Sequence, residues 1–548
     1  MTPAHVDAFA RDHLPPAELQ PVFLYDRPEL RPLASGPLNC VAELLDRRIE
    51  AGEGGRTCLI APGGVRWSWS ALRERVDRIA RVLVHDLGLV PGGRVLLRAP
   101  NTPMMAACWL AVVKAGGIAV ATMPLLRARE LRDILDKARV DLALCDRRLA
   151  DDLREACTQA ARPVTLRTFA NGEPGCGADL EAAMVAHPAP FEAVATAADD
   201  TCLLAFTSGT TGVPKATMHF HRDVMAACAC WPRHVLRPRP DDVFVGSPPL
   251  AFTFGLGGLL LFPMSVGAAT VLLERVTPDA LAQAIAEHGA TTLFTAPTSY
   301  RALAAHGPAL RRSRLRQCVS AGEVLPAATR TLWREATGIE LIDGIGATEM
   351  LHIFISADES CARPGATGRV VPGYEACILD DEGRPLPPGR VGRLAVRGPT
   401  GCRYLDDARQ RQYVQHGWNL TGDAYLMDDD GYFHYQARTD DMIVSAGYNI
   451  AAPEVEGALL AHPAVAECGV IGVPDEARGQ IVKAFVVLRP GHAAGEALAQ
   501  ALQAFVKDTI APYKYPRAIR FVDALPRTGT GKIQRFRLRD LPEEGPNR

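Results

Sequence analysis

At 548 residues the chain is too long for a single hydrophobic core, so at least two domains are expected. Hydrophobic residues make up 48 % and charged residues 22 %, both ordinary for a soluble globular protein. The net charge of −2 carries no general affinity for nucleic acid or an anionic membrane.

The N-terminal stretch MTPAHVDAFARDHLPPAELQ has charges and prolines but no apolar core, so no secretory signal is expected. Fourteen cysteines are scattered without a CxxC pair, the closest two being Cys228 and Cys230. They read as reduced, mostly buried side chains of a cytoplasmic protein, and no zinc site is expected without clustered ligands.

In chain order, Leu72, Val76, Ile79, Ala80, Leu83 and Leu87 recur at helical spacing over Ser70–Leu87, and Gly88 is a stop signal. Arg94–Arg98 reads as a strand, Pro103–Lys114 as a helix and Gly117–Thr122 as a strand. Leu131–Ala138 with Val140–Cys145, and Asp279–His288 with Thr291–Thr295, repeat the alternation. Val243–Leu273 lacks any charge and is long enough to cross a bilayer. Pro248, Pro249, Pro263 and five glycines break it, so strand, loop, buried helix and the strand Ala269–Leu273 are expected instead. The pattern predicts an α/β fold, with a large multi-sheet N-terminal domain over 1–439 built of mainly parallel layered sheets. Beyond it, Met442–Val444, a helix over Glu454–Leu460, strands at Val465–Val473 and Val482–Leu488 and a helix at Glu496–Thr509 predict a small α+β C-terminal domain over 440–548.

The strongest chemical signal is Thr207–Lys215, TSGTTGVPK, after the candidate strand Cys202–Phe206. Thr207, Ser208, Thr210 and Thr211 supply hydroxyls, Gly209 lets backbone approach a ligand closely, and Lys215 adds positive charge. A Walker loop would end Gly-Lys-Ser/Thr, whereas Pro214-Lys215-Ala216 stands here.

This loop resembles the phosphate loop of the adenylate-forming superfamily, which holds acyl- and aryl-CoA ligases, peptide-synthetase adenylation domains and luciferases. Further stretches match in order: DGIGATE (Asp343–Glu349), TGD (Thr421–Asp423), RTDDMI (Arg438–Ile443) and PRTGTGK (Pro526–Lys532). The resemblance implies ATP, Mg²⁺ and coenzyme A as cofactors or co-substrates, and a mobile C-terminal domain pivoting at Asp440. It assigns Asp343 and Gly344, with Gly322 and Glu323 of the SAGE segment, to the nucleotide, and Asp423 with Arg438 to the ribose. Glu349 would hold Mg²⁺ with Thr348 nearby, and Lys532 would bridge the attacking carboxylate and the α-phosphate, where negative charge gathers. Gly447 and Tyr448 would line the thiol tunnel.

The resemblance also places the acyl pocket at AFTFGLGG and TEMLHIF, lined by Phe252, Thr253, Phe254, Ala321, Gly322, Ile345, Gly346 and His352. No acidic residue occurs between Val243 and Leu273, so a buried α-ammonium would lack a partner, which argues against an α-amino acid. TEMLHIF resembles the benzoate-type aryl-CoA ligases, and PLAFTFGLGG most resembles the 2-aminobenzoate (anthranilate)-CoA ligases among them. Phe254 and Thr253 stand where plain benzoate enzymes commonly have tyrosine and alanine. Thr253 or His352 could bond an ortho substituent. The partners implied are an aryl carboxylate, ATP and CoA, with no nucleic acid and no membrane. Alternatives are a stand-alone enzyme loading a carrier protein, and a non-catalytic nucleotide-binding protein on the same fold. A homodimer is among the assemblies left open. The basic stretch Arg233–Arg239 could meet CoA phosphates or be a solvated loop.

Overall fold

The computed structural model describes residues 4–170, 172, 177–207, 214–438, 442–445, 448–475, 478–510, 512–527 and 533–541. The Val/Leu runs and the amphipathic stretches between them build two large sheets. A six-stranded sheet has the order Thr165–Phe169, Leu142–Asp146, Arg94–Arg98, Ile118–Thr122, Thr201–Thr207, Lys215–Phe220. Every pair in it is parallel except the last. A nine-stranded sheet runs Arg369–Val370, Ile353–Ser356, Leu341–Gly346, Gln317–Ser320, Thr292–Thr295, Val243–Gly246, Ala269–Val271, Thr57–Ala61, Val65–Ser68, parallel inside and antiparallel towards both edges.

Strand alternation explains the layering. Val95, Leu97 and Ala119 of the first sheet share one core cluster with Phe244, Phe294 and Val319 of the second. The intervening residues face outward clusters: Leu96 and Val120 on one side, Val245 and Leu293 on the other. The central strands are therefore covered on both faces, which is why they read as continuous apolar runs. The helix Pro103–Lys114 is buried along its whole length, with Thr102 capping its start by accepting from the Met105 N–H at 3.1 Å. Lys114, at its end, is held by Asp46 at 2.7 Å and Asp77 at 2.6 Å.

The helix expected over Ser70–Leu87 is α-helical over Trp69–Arg81 and widens into a π turn over Val82–Asp86. Val243–Leu273 folds as the strand Val243–Gly246, a loop, a helix from Thr253 to Val266 with a π turn at Gly257–Leu261, and the strand Ala269–Val271. Among the described residues no helix is long and apolar enough to cross a membrane.

A five-stranded antiparallel sheet holds Glu375–Leu379, Val391–Arg397, Val414–Gln415, Trp418–Met427 and Phe433–Arg438. After it come the hairpin Met442–Ser445/Tyr448–Ala451, the helix Ala452–Leu460, a sheet of Val465–Asp475, Gly479–Leu488 and Ala518–Phe521, and the helix Glu496–Thr509. This C-terminal part is α+β and has its own core around Val455, Leu459, Val470, Val486 and Leu502.

Candidate active site

The loop expected to hold phosphates joins the two strands of an antiparallel pair at the edge of the six-stranded sheet. Thr207 and Lys215 face each other as its last register pair. Residues 208–213 lie outside the described residues, so Ser208, Gly209, Thr210 and Thr211 are not placed; Thr207 and Lys215 mark the two rims.

From Lys215 a short polar chain runs inward. Its Nζ donates to the Tyr404 hydroxyl at 3.3 Å and lies over that ring, 5.1 Å from the centroid. The Tyr404 hydroxyl in turn donates to Glu349 Oε1 at 2.5 Å. Tyr404 is buried and Glu349 nearly so. Burial, reinforced by the Glu349 charge, pushes the Tyr404 phenol well above its ordinary range, which keeps it a donor. Glu349 is therefore an inward carboxylate held by a charge-assisted bond. A second network fixes the same turn from behind: His219 Nε2 lies 2.7 Å from the Thr348 carbonyl, and Arg403 donates to Asp223 at 2.8 Å on the same buried face.

Asp423 and Arg438 sit opposite one another on paired strands and form an ion pair at 2.9 Å. Arg438 also donates to the Thr421 carbonyl at 3.1 Å. Between them Gly422 takes φ +76°, and a side chain there would meet Arg438 Nη2 at 2.7 Å. The glycine of the TGD motif is thus required twice over. Asp343 lies on the strand Leu341–Gly346, beside Ser320. Burial pushes its carboxyl up to about 7 against the pull of the Arg330 guanidinium. Gly344 is needed for close approach, since a Cβ would meet the Ile353 side chain at 2.8 Å.

Across the shared core the acyl-pocket segments do converge. His352 is ringed by Phe254 (5.7 Å), Phe262 (4.5 Å, edge-on) and Trp231 (5.4 Å), with Phe294 5.7 Å from Phe254. Burial lowers its pKa to about 3 against the opposing pull of the Phe254 backbone, so the ring is neutral. Both His352 ring nitrogens and Trp231 Nε1 are buried without a partner. The glycines of GLGG let the helix come close: a Cβ on Gly257 would strike the His352 ring at 2.5 Å, and one on Gly258 the Phe294 ring at 2.4 Å. Thr253 and Ala321 are buried, while Phe252 and Ile345 are half-buried. Gly346 and Gly322 are exposed.

Glu323 accepts from Thr298 Oγ1 at 2.8 Å, so its carboxylate is engaged at the start of the helix Pro297–Leu303. Of the basic stretch, 233–236 lies in the helical turn Pro232–Leu236 while 237–239 is loop, and Arg237 pairs with Asp358. Tyr448 opens the strand Tyr448–Ala451. Asp440, Gly447 and Lys532 lie outside the described residues. Tyr404, Trp231 and His219 were not singled out by the sequence; the one signal for Trp231 was an aromatic flanked by small apolar residues in ACACWP. A separate groove of about 910 Å³, with Arg147, Arg148 and Glu274 in its wall, contains none of the expected site residues.

The hairpin expected to carry the phosphate loop, the inward carboxylate of Glu349 and the Asp423–Arg438 pair belong to a chain that family comparison identifies as a nucleotide-using enzyme. The chain belongs to the AMP-binding enzyme family, whose model matches residues 45–403; the model of the AMP-binding enzyme C-terminal domain matches residues 454–532. It is 38 % identical to a benzoate–CoA ligase of Thauera aromatica over 91 % of this chain and 95 % of that one. Among solved structures it resembles the anthranilate CoA ligase AuaEII in complex with anthranoyl-AMP (TM-score 0.86, 34 % identity, covering 92 % and 97 % of the two chains). It also resembles a benzoate CoA ligase from Burkholderia xenovorans (TM-score 0.83, 34 % identity, covering 91 % and 99 %).

Proposed function

We propose that the protein is an AMP-forming aryl acid–CoA ligase of the benzoate or 2-aminobenzoate type. The observation that carries this reading is the aromatic cluster of Phe254, Phe262, Trp231 and His352, uncharged and beside the Glu349 turn. A flat apolar acid fits such a pocket, and the unpartnered ring nitrogens suit a polar ring substituent better than a fatty chain.

In the first half-reaction the aryl carboxylate attacks the α-phosphate of ATP. Its O–P bond forms, the bond to pyrophosphate breaks, and aryl-adenylate remains. In the second, the CoA thiol gives up its proton and attacks the acyl carbon; AMP leaves and the thioester forms. Thr207 and Lys215, with 208–213 between them, would cradle the phosphates. Glu349 offers a hard oxygen donor and Thr348 lies beside it, a set that fits Mg²⁺. The ion would neutralise phosphate charge when bound. Asp423 would accept the ribose hydroxyls while Arg438 fixes its orientation, and Asp343 and Gly344 would lie against the adenine. Gly322 and Glu323 complete the nucleotide side. Phe252, Thr253, Phe254, Ala321, Ile345, Gly346 and His352 would line the acyl side. Lys532 supplies positive charge to the transition state. The reading takes 1–439 and 440–548 as two domains, with Asp440 as the pivot and Gly447 and Tyr448 at the thiol channel. It puts the enzyme in the cytoplasm, with no nucleic acid or membrane partner.

Pyrophosphate release over a panel of benzoate, anthranilate, salicylate, phenylacetate, octanoate and amino acids, each with and without CoA, tests it. CoA-dependent turnover with benzoate or anthranilate is expected. Turnover confined to amino or fatty acids, or needing a phosphopantetheinylated protein in place of CoA, overturns it. Lys532→Ala is expected to abolish adenylation while ATP still binds.

A further inference from the structure

Away from the nucleotide and acyl sites, three side chains from distant parts of the sequence meet in the interior. Cys40 precedes the helical segment Ala42–Asp46, Cys202 lies on the strand Thr201–Thr207, and His221 opens the helix His221–Ala229. All three are fully buried. The two sulfurs and a His221 ring nitrogen all lie within 4.8 Å of one another, with His221 Nδ1 at 3.3 Å from Cys40 Sγ. The Cys40 backbone N–H donates to that Nδ1 at 3.2 Å, so its lone pair is held by the backbone and a metal would take it in place of that bond. His221 Nε2 is buried without a partner.

We propose that Cys40, Cys202 and His221 form a binding site for a zinc-class d¹⁰ cation. Tetrahedral zinc, with bonds of about 2.0–2.3 Å, spaces its ligand atoms about 3.5–3.8 Å apart, against 3.3 Å between His221 Nδ1 and Cys40 Sγ and an upper bound of 4.8 Å for all three. Sulfur donors exclude magnesium and calcium, which require oxygen. Charge selects among the soft ions: two thiolates and a neutral imidazole cancel a dication, whereas Cu(I) would leave a net negative charge in a dry interior. On binding, each thiol gives its proton to solvent and its lone pair to the metal, with no change of oxidation state.

The N-terminal segment is fastened to the same part of the interior. The Ala4 N–H bonds Asp200 Oδ2 at 3.0 Å, and the His221 N–H bonds the Asp200 carbonyl at 3.2 Å. His5 is thereby fastened beside the residue that anchors His221, and its buried Nε2 has no partner. Such an ion would tie the segment at Cys40 and the helix His221–Ala229 to the strand whose far end is Thr207.

The test uses the full-length enzyme, reduced and stripped of metal, titrated with Co²⁺. One equivalent is expected to give sulfur-to-cobalt charge-transfer absorption with the visible bands of tetrahedral cobalt, displaced by one equivalent of Zn²⁺. The bands are expected to be lost in Cys40→Ser and Cys202→Ser and kept in Cys361→Ser, which removes an exposed thiol. No charge-transfer band in the wild type, or bands surviving both buried substitutions, overturns the proposal. Should the serine variants fail to fold, anomalous diffraction at the zinc edge from wild-type crystals grown with Zn²⁺ decides. A peak between the three residues supports the site, and its absence sinks it.

Discussion

Tyr404 stands between Lys215 and Glu349, the two charges of the proposed nucleotide site. It accepts from Lys215 and donates to Glu349. Tyr404→Phe leaves a nearly buried carboxylate without its donor, a cost of roughly 1–3 kcal/mol. Pyrophosphate release per mole of enzyme is expected to fall about tenfold or more, with Tm lowered by a few degrees; an unaltered rate would remove Tyr404 from the site. Two other residues set opposing pH dependences. Folded His352 titrates at about 3 against 6.5 when free, so between those values the unfolded chain holds a proton the native one lacks. Stability from His352 is full above pH 6.5 and lost as the pH falls towards 3. Folded Asp343 titrates at about 7 against 3.8, so its contribution is full below 3.8 and lost as the pH rises to 7. Denaturant unfolding across that window should show stability falling with pH in His352→Phe and rising in Asp343→Asn, relative to one another; parallel slopes would refute both assignments. At this scale the sequence named Glu349, Asp423 and Arg438 because they sit in short motifs. It did not name Tyr404, whose partners lie 189 and 55 residues away, nor the Cys40–His221 approach across 181 residues. Pairings of that kind exist only once the chain is folded.

Elements buried on both faces were the most legible, because a strand or helix with no solvent side reads as one apolar run. Arg94–Arg98 and Pro103–Lys114 have the bounds the sequence implied. The buried helix expected between the strands of Val243–Leu273 runs from Thr253 to Val266, and Gly257, Gly258 and Pro263 lie inside it without ending it. The glycines serve packing instead. Gly257→Ala is expected to push His352 aside and raise KM for the aryl acid about tenfold while KM for ATP stays put, since the added carbon strikes only the acyl side. Steady-state kinetics in both substrates separates the two. At the end of its helix, Lys114 holds Asp46 and Asp77 in the interior. Lys114→Met should cost about 3–5 kcal/mol by stranding Asp77, and adding Asp77→Leu should recover most of it. Denaturant melts of the two variants give the comparison.

For the molecule as a whole, the buried clusters sort by position: those below residue 434 and those above residue 442 share no member among the described residues. A chain of residues 1–439 is therefore expected to melt cooperatively alone and to bind ATP, yet release no pyrophosphate because Lys532 is gone. Calorimetry and isothermal titration check both halves of that statement. The change of style near residue 440 was visible in the sequence as a short β-like run at Met442–Val444 and a helix opening at Pro453, whereas the order of strands in the sheets was not, since it depends on crossovers. One of those crossovers bears on how the protein is born. The strand Thr57–Ala61 takes its parallel neighbour from Ala269–Val271. At ordinary rates of synthesis the ribosome needs roughly ten to forty seconds to reach that partner. Until then Leu59 and Ile60 rely on the local hairpin with Val65–Ser68 for shelter, and this interval is when the nascent chain is most exposed to a chaperone or to a neighbouring polysome.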